Sequence, residues 1–572
     1  MVAKLMIRFS MILILAMACG TAEAPDSTAA PAAEPTSAPV AGETSQPTPV
    51  PQVAAPPADV EVNPGKLTIM VGDLLNERFD PVFANAPGSH NYFRIAHGYL
   101  ISTNEKTELV PGIASNWEIS SDGLTWTFTI REGVKWHEGT ELVPEDVLWS
   151  LQHMVGPQAF EYTTGSLAGI SRAMERIELS GPDTVSMTTT VPFTTFYIIV
   201  SEASNSSYPV MPKRATLRDE AEELAYDSNP IGAGFMRLTN HVPASVMSFE
   251  RFDDFYYQPK NGFPEDKRVN FQTLEMFLVP EESIRVAALR AAEADIAPVS
   301  LASRKQVEAG GGGLVFGPEG VVVEARLMGC FEPQRPCHDK RVRQALDYAI
   351  DKELMRDTLF GGPEVFQVKG WSLVTPSTIG YTPELDPWPF DPDKARQLLA
   401  DAGYPNGEGF GKLIVNTWPA SSMPLQVEVA QLVADNWRRE LELDVEVRAG
   451  DSTGVKKMEV AGELNGQILW REQETRRDAT SGTNSKYADP ENIVRVHDDP
   501  ELLRLVQETI QIVDSDERAE ASKMLYQRLR DESYQLGIGY VNIPWGVGPR
   551  VLTWQPYPLA TWPSALHTIT LE

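Results

Sequence analysis

Few residues in this chain have types and spacing that could do chemistry. Gly450-Asp451-Ser452-Thr453-Gly454 fits the G-x-S-x-G pattern of a nucleophile elbow. In such an elbow a sharp strand-to-helix turn presents a serine to a histidine base. Asp478, Asp489 and His497 or His567 follow in an order that a triad permits. A strand-to-helix loop rich in glycine, serine and threonine meets the same pattern without catalysis. His137-Glu138 is half of a zinc-protease motif, but Glu141 stands where the second histidine is required. The eight histidines are scattered without ligand spacing, so neither a metal site nor a cofactor is expected. Gly310 to Gly313 lacks the lysine and the Ser/Thr of a phosphate loop and reads as a flexible turn. Cys330 and Cys337 could close a short disulfide loop in an exported chain, or remain free thiols. Arg471, Arg476 and Arg477 lie beside Trp470. Guanidiniums can clamp a ligand carboxylate and an indole can pack on a ligand side chain. A solvated surface, with Glu472 and Glu474 as its partners, is the other reading.

Positioning such residues takes regular elements, and the patterns supply both kinds. Lys66 to Val71 reads as a strand. Asp122-Gly123 is a turn signal, after which Leu124, Trp126, Phe128 and Ile130 alternate with threonines, a half-buried strand. Strand patterns recur at Thr184 to Thr190, Leu274 to Val279 and Leu443 to Val447. Pro144 opens a helix with Val147, Leu148 and Leu151 on one face. Asp339 caps another, striped by Val342, Ala345, Leu346, Ala349 and Ile350, with Gly361 after its end. Asp391 caps a third, with Pro392 in its first turn and Gly403 as its stop. Gln426 to Leu441 is a fourth. Strands and helices mix throughout, so the class is α/β.

The chain has 572 residues, too many for one ordinary core. Its 49 Lys+Arg against 79 Asp+Glu give a net charge of −30, which repels phosphate backbones and argues against nucleic acid. Lys4, Arg8 and the apolar run Phe9 to Ala18 read as a signal peptide over residues 1–18, too short to span a bilayer. Both available cleavage readings cut after Ala18. They differ in whether Cys19 is lipidated as a first mature residue, which is the reading favoured by the long tether that follows. Residues 19–64 hold ten prolines, no aromatic and no Lys or Arg, a composition that cannot fold. Such an anchor and tether suit a body that works beside a membrane.

Five stretches, in order, resemble solute-binding family 5 of ABC importers, the peptide/nickel/oligopeptide-binding lipoproteins. They are Pro111 to Gly139 followed by Glu145-Asp146-Val147; Asn229-Pro230-Ile231-Gly232-Ala233-Gly234-Phe235; Leu289 to Ala297; Asp339 to Asp351; and Asp391 through Pro405. Together they cover about Lys66 to Arg550. The resemblance implies a two-lobed α/β clam of the type II periplasmic-binding-protein kind, with an extra subdomain. Lobe I would be 65–324 with the return 539–572, and lobe II 325–538. The chain would cross near Val321 to Met328 and return near Ile538 to Pro544. It also implies an exported, non-catalytic, monomeric carrier. Such a carrier closes on a peptide or similar solute and delivers it to a membrane permease. Peptide binders of this family place an aspartate three residues after a tryptophan to hold the peptide amino group. Here Trp470 fits, but Gln473 takes the aspartate's place. The expected pocket is therefore Trp470, Gln473, Arg471, Glu472 and Glu474, with Asn76, Glu77 and Arg78 after the first strand and Tyr540 at the return. A secreted hydrolase using Ser452 is the alternative.

Overall fold

The computed structural model describes residues 63–74, 77–82, 89–161, 163, 165–203, 208–213, 225–420, 423, 425–480 and 496–572. The leader, Cys19, the tether to residue 62, Asn76 and Asp489 lie outside the described residues.

Strand Asn63–Val71 pairs in parallel with Phe271–Leu278. The hairpin Met236–Val242 and Val246–Arg251 continues the sheet on that side. On the other side the order runs through Ile296–Pro298 to Tyr540–Val547 and Gly313–Leu327. It then passes to Ile468–Glu474, Lys412–Thr417 and Asp444–Ala449. The antiparallel pair 313–327 and 540–547 thus carries the chain from one hydrophobic core to the other. Leu67, Ile69, Leu274, Trp545 and Ile569 share the first core. Val323, Ala325, Leu346, Val433 and Trp437 share the second. A separate antiparallel sheet joins Ala114–Ile119, Thr125–Ile130, Thr184–Thr189 and Met174–Leu179, covered by helix Pro144–Val155. Among the described residues no helix is long and apolar enough to cross a membrane.

The second lobe buries its sheet on both faces, which explains the unbroken apolar runs there. Val321, Val323 and Ala325 join the core with Trp437, while Val322 faces Leu469, Trp418 and Tyr526. Asp391 caps helix Pro392–Asp401 through Lys394 N–H, and Gly403, at φ +98°, ends that run. The single helix expected after Asp339 is two. Lys340–Tyr348 is capped by Asp339, and Lys352–Leu359 by Asp351, whose carboxylate accepts from Leu354 N–H. The break lets Asn436 Oδ1 take the Asp351 N–H at 2.7 Å. Cys330 and Cys337 are bonded, Sγ–Sγ 1.98 Å.

The glycines of Asn229 to Phe235 are required by close approach. A Cβ on Gly232 would lie 1.7 Å from the Ala96 carbonyl oxygen, so only hydrogen fits between these backbones. His137 seals the same junction, its Nε2 lying 3.0 Å from Gly234 O. Burial holds its pKa down to about 4, so the ring is neutral at physiological pH.

Candidate functional site

The residues expected to form a pocket fall mostly on the strand Ile468–Glu474. It runs antiparallel to Gly313–Leu327, with Trp470 opposite Ala325, Arg471 opposite Glu324, Glu472 opposite Val323 and Gln473 opposite Val322. On its other edge Val322 pairs with Tyr540. Side chains alternate along a strand, so Gln473, Val322 and Tyr540 form one row on one face. Trp470, Glu472 and Glu474 take the other face. The structure therefore places Gln473 and Tyr540 on one face, either side of Val322, and turns Trp470 to the other.

Trp470 is fully buried in the second core and offers no surface to a solute here. Arg471 donates Nε–H to the Glu472 carbonyl at 3.1 Å and stands 5.8 Å from the Trp418 ring centroid. Glu472 has one buried carboxylate oxygen without a hydrogen-bond partner. Glu474 meets the Thr561 hydroxyl at 3.4 Å. Glu77 and Arg78 are engaged inside the first lobe. The Glu77 carboxylate takes His241 Nε2 and Ala244 N–H, both at 2.7 Å, and Arg78 pairs with Asp227. They tie the first loop to the segment around residues 227–244.

Around Tyr540 the fold gathers groups that sequence patterns did not mark. The Tyr381 hydroxyl donates to Asp386 Oδ1 at 2.9 Å. Burial pushes the Tyr381 phenol up, and the hydrogen bond and charge of Asp386 push it further, with Tyr540 and Glu319 adding to them. Burial also raises Tyr540, followed by the charges of Glu319 and Asp386. Both phenols therefore lie in the fields of Glu319 and Asp386. Glu319 sits at a bulge between Gly317 and Val321, where the crossing strand changes register. Its carboxylate accepts from Ser377 N–H at 2.9 Å and from the Ser377 hydroxyl at 3.0 Å. The only legible hint was Gly317-Pro318-Glu319-Gly320, turn residues inside an otherwise apolar run. Nothing in the sequence pattern marked Tyr381 or Asp386.

The segment after the strand reaches the other lobe. Arg477 Nη1 lies 3.4 Å from Thr107 Oγ1, and Tyr197 donates to Asp478 Oδ2 at 3.4 Å. Arg518 pairs with Asp478 at 2.9 Å and donates to Thr194 Oγ1 at 2.6 Å. An acidic, phenol-lined wall beside two crossing strands can hold a cationic or polar solute group between bodies that meet directly.

Catalytic parts are not assembled at Ser452. That serine opens helix Ser452–Val460, and Asp451 caps the helix through Gly454 N–H at 2.7 Å. Among the described residues no histidine hydrogen-bonds it, so the G-x-S-x-G motif is a helix cap and the hydrolase alternative loses its base. No group of three metal-ligating side chains occurs among the described residues.

The chain is 27% identical over 364 residues to the dipeptide-binding protein of Escherichia coli strain K12, covering 58% of this chain and 62% of that one. It is 28% identical over 343 residues to the glutathione-binding protein GsiB of Pectobacterium atrosepticum, covering 59% and 61%. The chain thus spans about three fifths of the length of these relatives. The crystal structure of the ABC transporter substrate-binding protein CtaP from Listeria monocytogenes matches its fold at a TM-score of 0.74 and 20% identity, over 89% of this chain and 99% of that one. The fold is the two-lobed α/β type II periplasmic-binding-protein architecture. With residues 108–495 matching the family model, this chain belongs to the bacterial extracellular solute-binding proteins, family 5.

Proposed function

We propose that this protein is the solute-binding component of an ABC importer. Residues 1–18 export it, lipid on Cys19 anchors it outside the cell membrane, and residues 19–64 tether it. As a monomer it captures a peptide or peptide-like solute between a lobe of 65–324 with 539–572 and a lobe of 325–538. It then presents the closed form to a membrane permease. The observation that carries this reading is the pair of strands 313–327 and 540–547 crossing between two cores beside Gln473, Tyr540, Tyr381, Asp386 and Glu319. Paired strands bend at a bulge and leave each lobe intact, which is the geometry of hinge closure. Burying an ammonium without acceptors costs several kcal/mol, so a solute amino group needs such a wall. With Gln473 at the aspartate's place, Asp386 and Glu319 are the acceptors available to it. The names of the dipeptide- and glutathione-binding relatives favour the same solute class.

The test is native mass spectrometry of the gently purified protein, followed by denaturation to release what it carries. A retained peptide or peptide-like molecule is expected. Returning it to emptied protein is expected to reduce the radius of gyration in solution scattering. Scattering that changes with no solute, including a small-molecule extract of the source cells, would sink the closure reading.

A further inference from the structure

The first lobe holds a cavity of about 100 Å³, partly open to solvent, that no sequence motif marks. Helix His90–Ala96 forms one wall, and residues 557–567 near the C-terminus form another. Its lining has two cations, Arg94 and Lys267, and one carboxylate, Glu202. The chain as a whole carries −30, so the cavity's sign runs against that of the molecule.

Bonds and charge tie these groups together, and the Glu202 carboxylate acts on Arg94 as well as on Lys267. Glu202 Oε2 accepts from the Ser102 hydroxyl at 2.7 Å and from Thr103 N–H at 3.2 Å. Lys267 Nζ bonds the same Ser102 Oγ at 3.2 Å and the Thr103 carbonyl, which links Lys267 to Glu202 through one hydroxyl. Glu265, outside the lining, stands 3.9 Å from Lys267. Arg94 bonds the neutral carbonyl of Glu202, Nη1 to O 2.6 Å. Its guanidinium lies 4.1 Å from the Trp562 ring centroid and 5.4 Å from that of Tyr99. An indole covering the face of a guanidinium directs an anion to its N–H edge, where charge-assisted bonds form. His567, also in the lining, adds no charge, because burial and then Lys267 hold its pKa to about 3. The cavity adjoins the interlobe contacts. Thr107 lines it and meets Arg477, and Thr561, within the wall segment, reaches Glu474.

We propose that this cavity is the subsite for the carboxylate of the solute, with Arg94 as its anchor, Lys267 as its second cation and Trp562 as its lid. This rests on the solute-binding reading above and extends it. The acidic, phenolic wall at Tyr381, Asp386 and Tyr540 takes the cationic end, and the Arg94 cavity takes the anionic end.

The probes are the tripeptide Ala-Phe-Ala as the free acid and as its C-terminal amide, titrated calorimetrically into the full exported chain emptied of bound solute. Scattering is recorded on the same samples. The acid is expected to bind at least about tenfold tighter than the amide, the usual difference for a hydrogen bond to a charged group. Arg94→Gln, and independently Lys267→Met, should bring the acid down toward the amide's affinity and leave the amide's affinity nearly unchanged. Comparing two probes on the unaltered chain requires no variant to fold. Equal binding and equal compaction by acid and amide would overturn the subsite and leave the solute-binding reading intact. Failure of both probes, with compaction by a small-molecule extract, would overturn the subsite and the peptide assignment together. No compaction with any solute would overturn the solute-binding reading itself.

Discussion

At the scale of single residues, Glu319 holds the crossing in shape. Its φ of +54° lies in the left-handed region, which costs a residue with a Cβ about 1 kcal/mol or more. Its contacts offset that strain. The carboxylate holds Ser377, the N–H donates to Asn542 Oδ1 at 3.0 Å, and the carbonyl accepts from the Thr475 hydroxyl. Glu319→Ala removes the Ser377 bonds and keeps the strain. Glu319→Gly removes the same bonds and the strain together. Thermal unfolding should therefore find the alanine variant less stable than the glycine variant by about 1 kcal/mol, with both below the parent. An alanine variant equal to the glycine variant would mean that the backbone is not strained there. Residue identity alone does not display where these positions fall in the sheet. Trp470 was chosen from a motif, but Ile468-Leu469-Trp470 is an apolar run in a sheet covered on both faces, and burial claimed it. Gln473 and Tyr540 flank Val322 from the strands on either side of it, a relation 67 residues of sequence do not display.

Elements were far more legible, because caps and periodicity are local. The helices opened by Pro144, Asp391-Pro392 and Gln426 and the alternating strand Thr125–Ile130 follow directly from their residues. The helix after Asp339 was harder, because its apolar stripe passes Asp351 without a glycine or proline to announce the break. Asp499 shows how much one cap can hold. It accepts from Glu501 and Leu502 N–H at the start of helix Pro500–Thr509, from Arg528 at 2.6 and 2.8 Å, and from the Tyr534 hydroxyl at 2.8 Å. Burial alone would raise this carboxyl. The bonds from Arg528, Tyr534 and Leu502 more than offset burial and hold it below the ordinary aspartate range. A depressed folded-state pKa stabilises fully above the unfolded value of about 3.9, and that stability is lost as pH falls through the folded value. Asp499→Ala should cost about 3 kcal/mol at neutral pH, from a lost cap and a stranded Arg528. Urea midpoints should show the gap between parent and variant closing below about pH 4. A gap that stays constant into acid would refute the assignment to Asp499's charge.

At the scale of the whole molecule, the lobes also meet through groups outside both proposed walls. Thr194 stands between them, accepting from Arg518 Nη1 and donating to the Ile510 carbonyl, while Tyr197 donates to Asp478. Arg518 and Asp478 are both almost fully buried and pair within the second lobe, so that lobe keeps its ion pair whether or not the first lobe touches it. The first lobe's two hydroxyls add three hydrogen bonds, each worth about 0.5–1.5 kcal/mol. On the proposed closure mechanism such contacts bias the closed form before any solute arrives, and the apparent affinity scales with the population of the competent state. Thr194→Val with Tyr197→Phe removes the two hydroxyls, keeps most of the side-chain volume and leaves the Arg518–Asp478 pair intact. The solute-free double variant should have a larger radius of gyration, and its affinity for the released solute should fall by about tenfold. Its unfolding temperature should stay within a few degrees of the parent's, since no buried ion pair is broken. The change should lie in the opening equilibrium, so a solute at saturating concentration should restore the parent's scattering profile. Unchanged scattering together with unchanged affinity would mean that closure sets this contact and gains nothing from it.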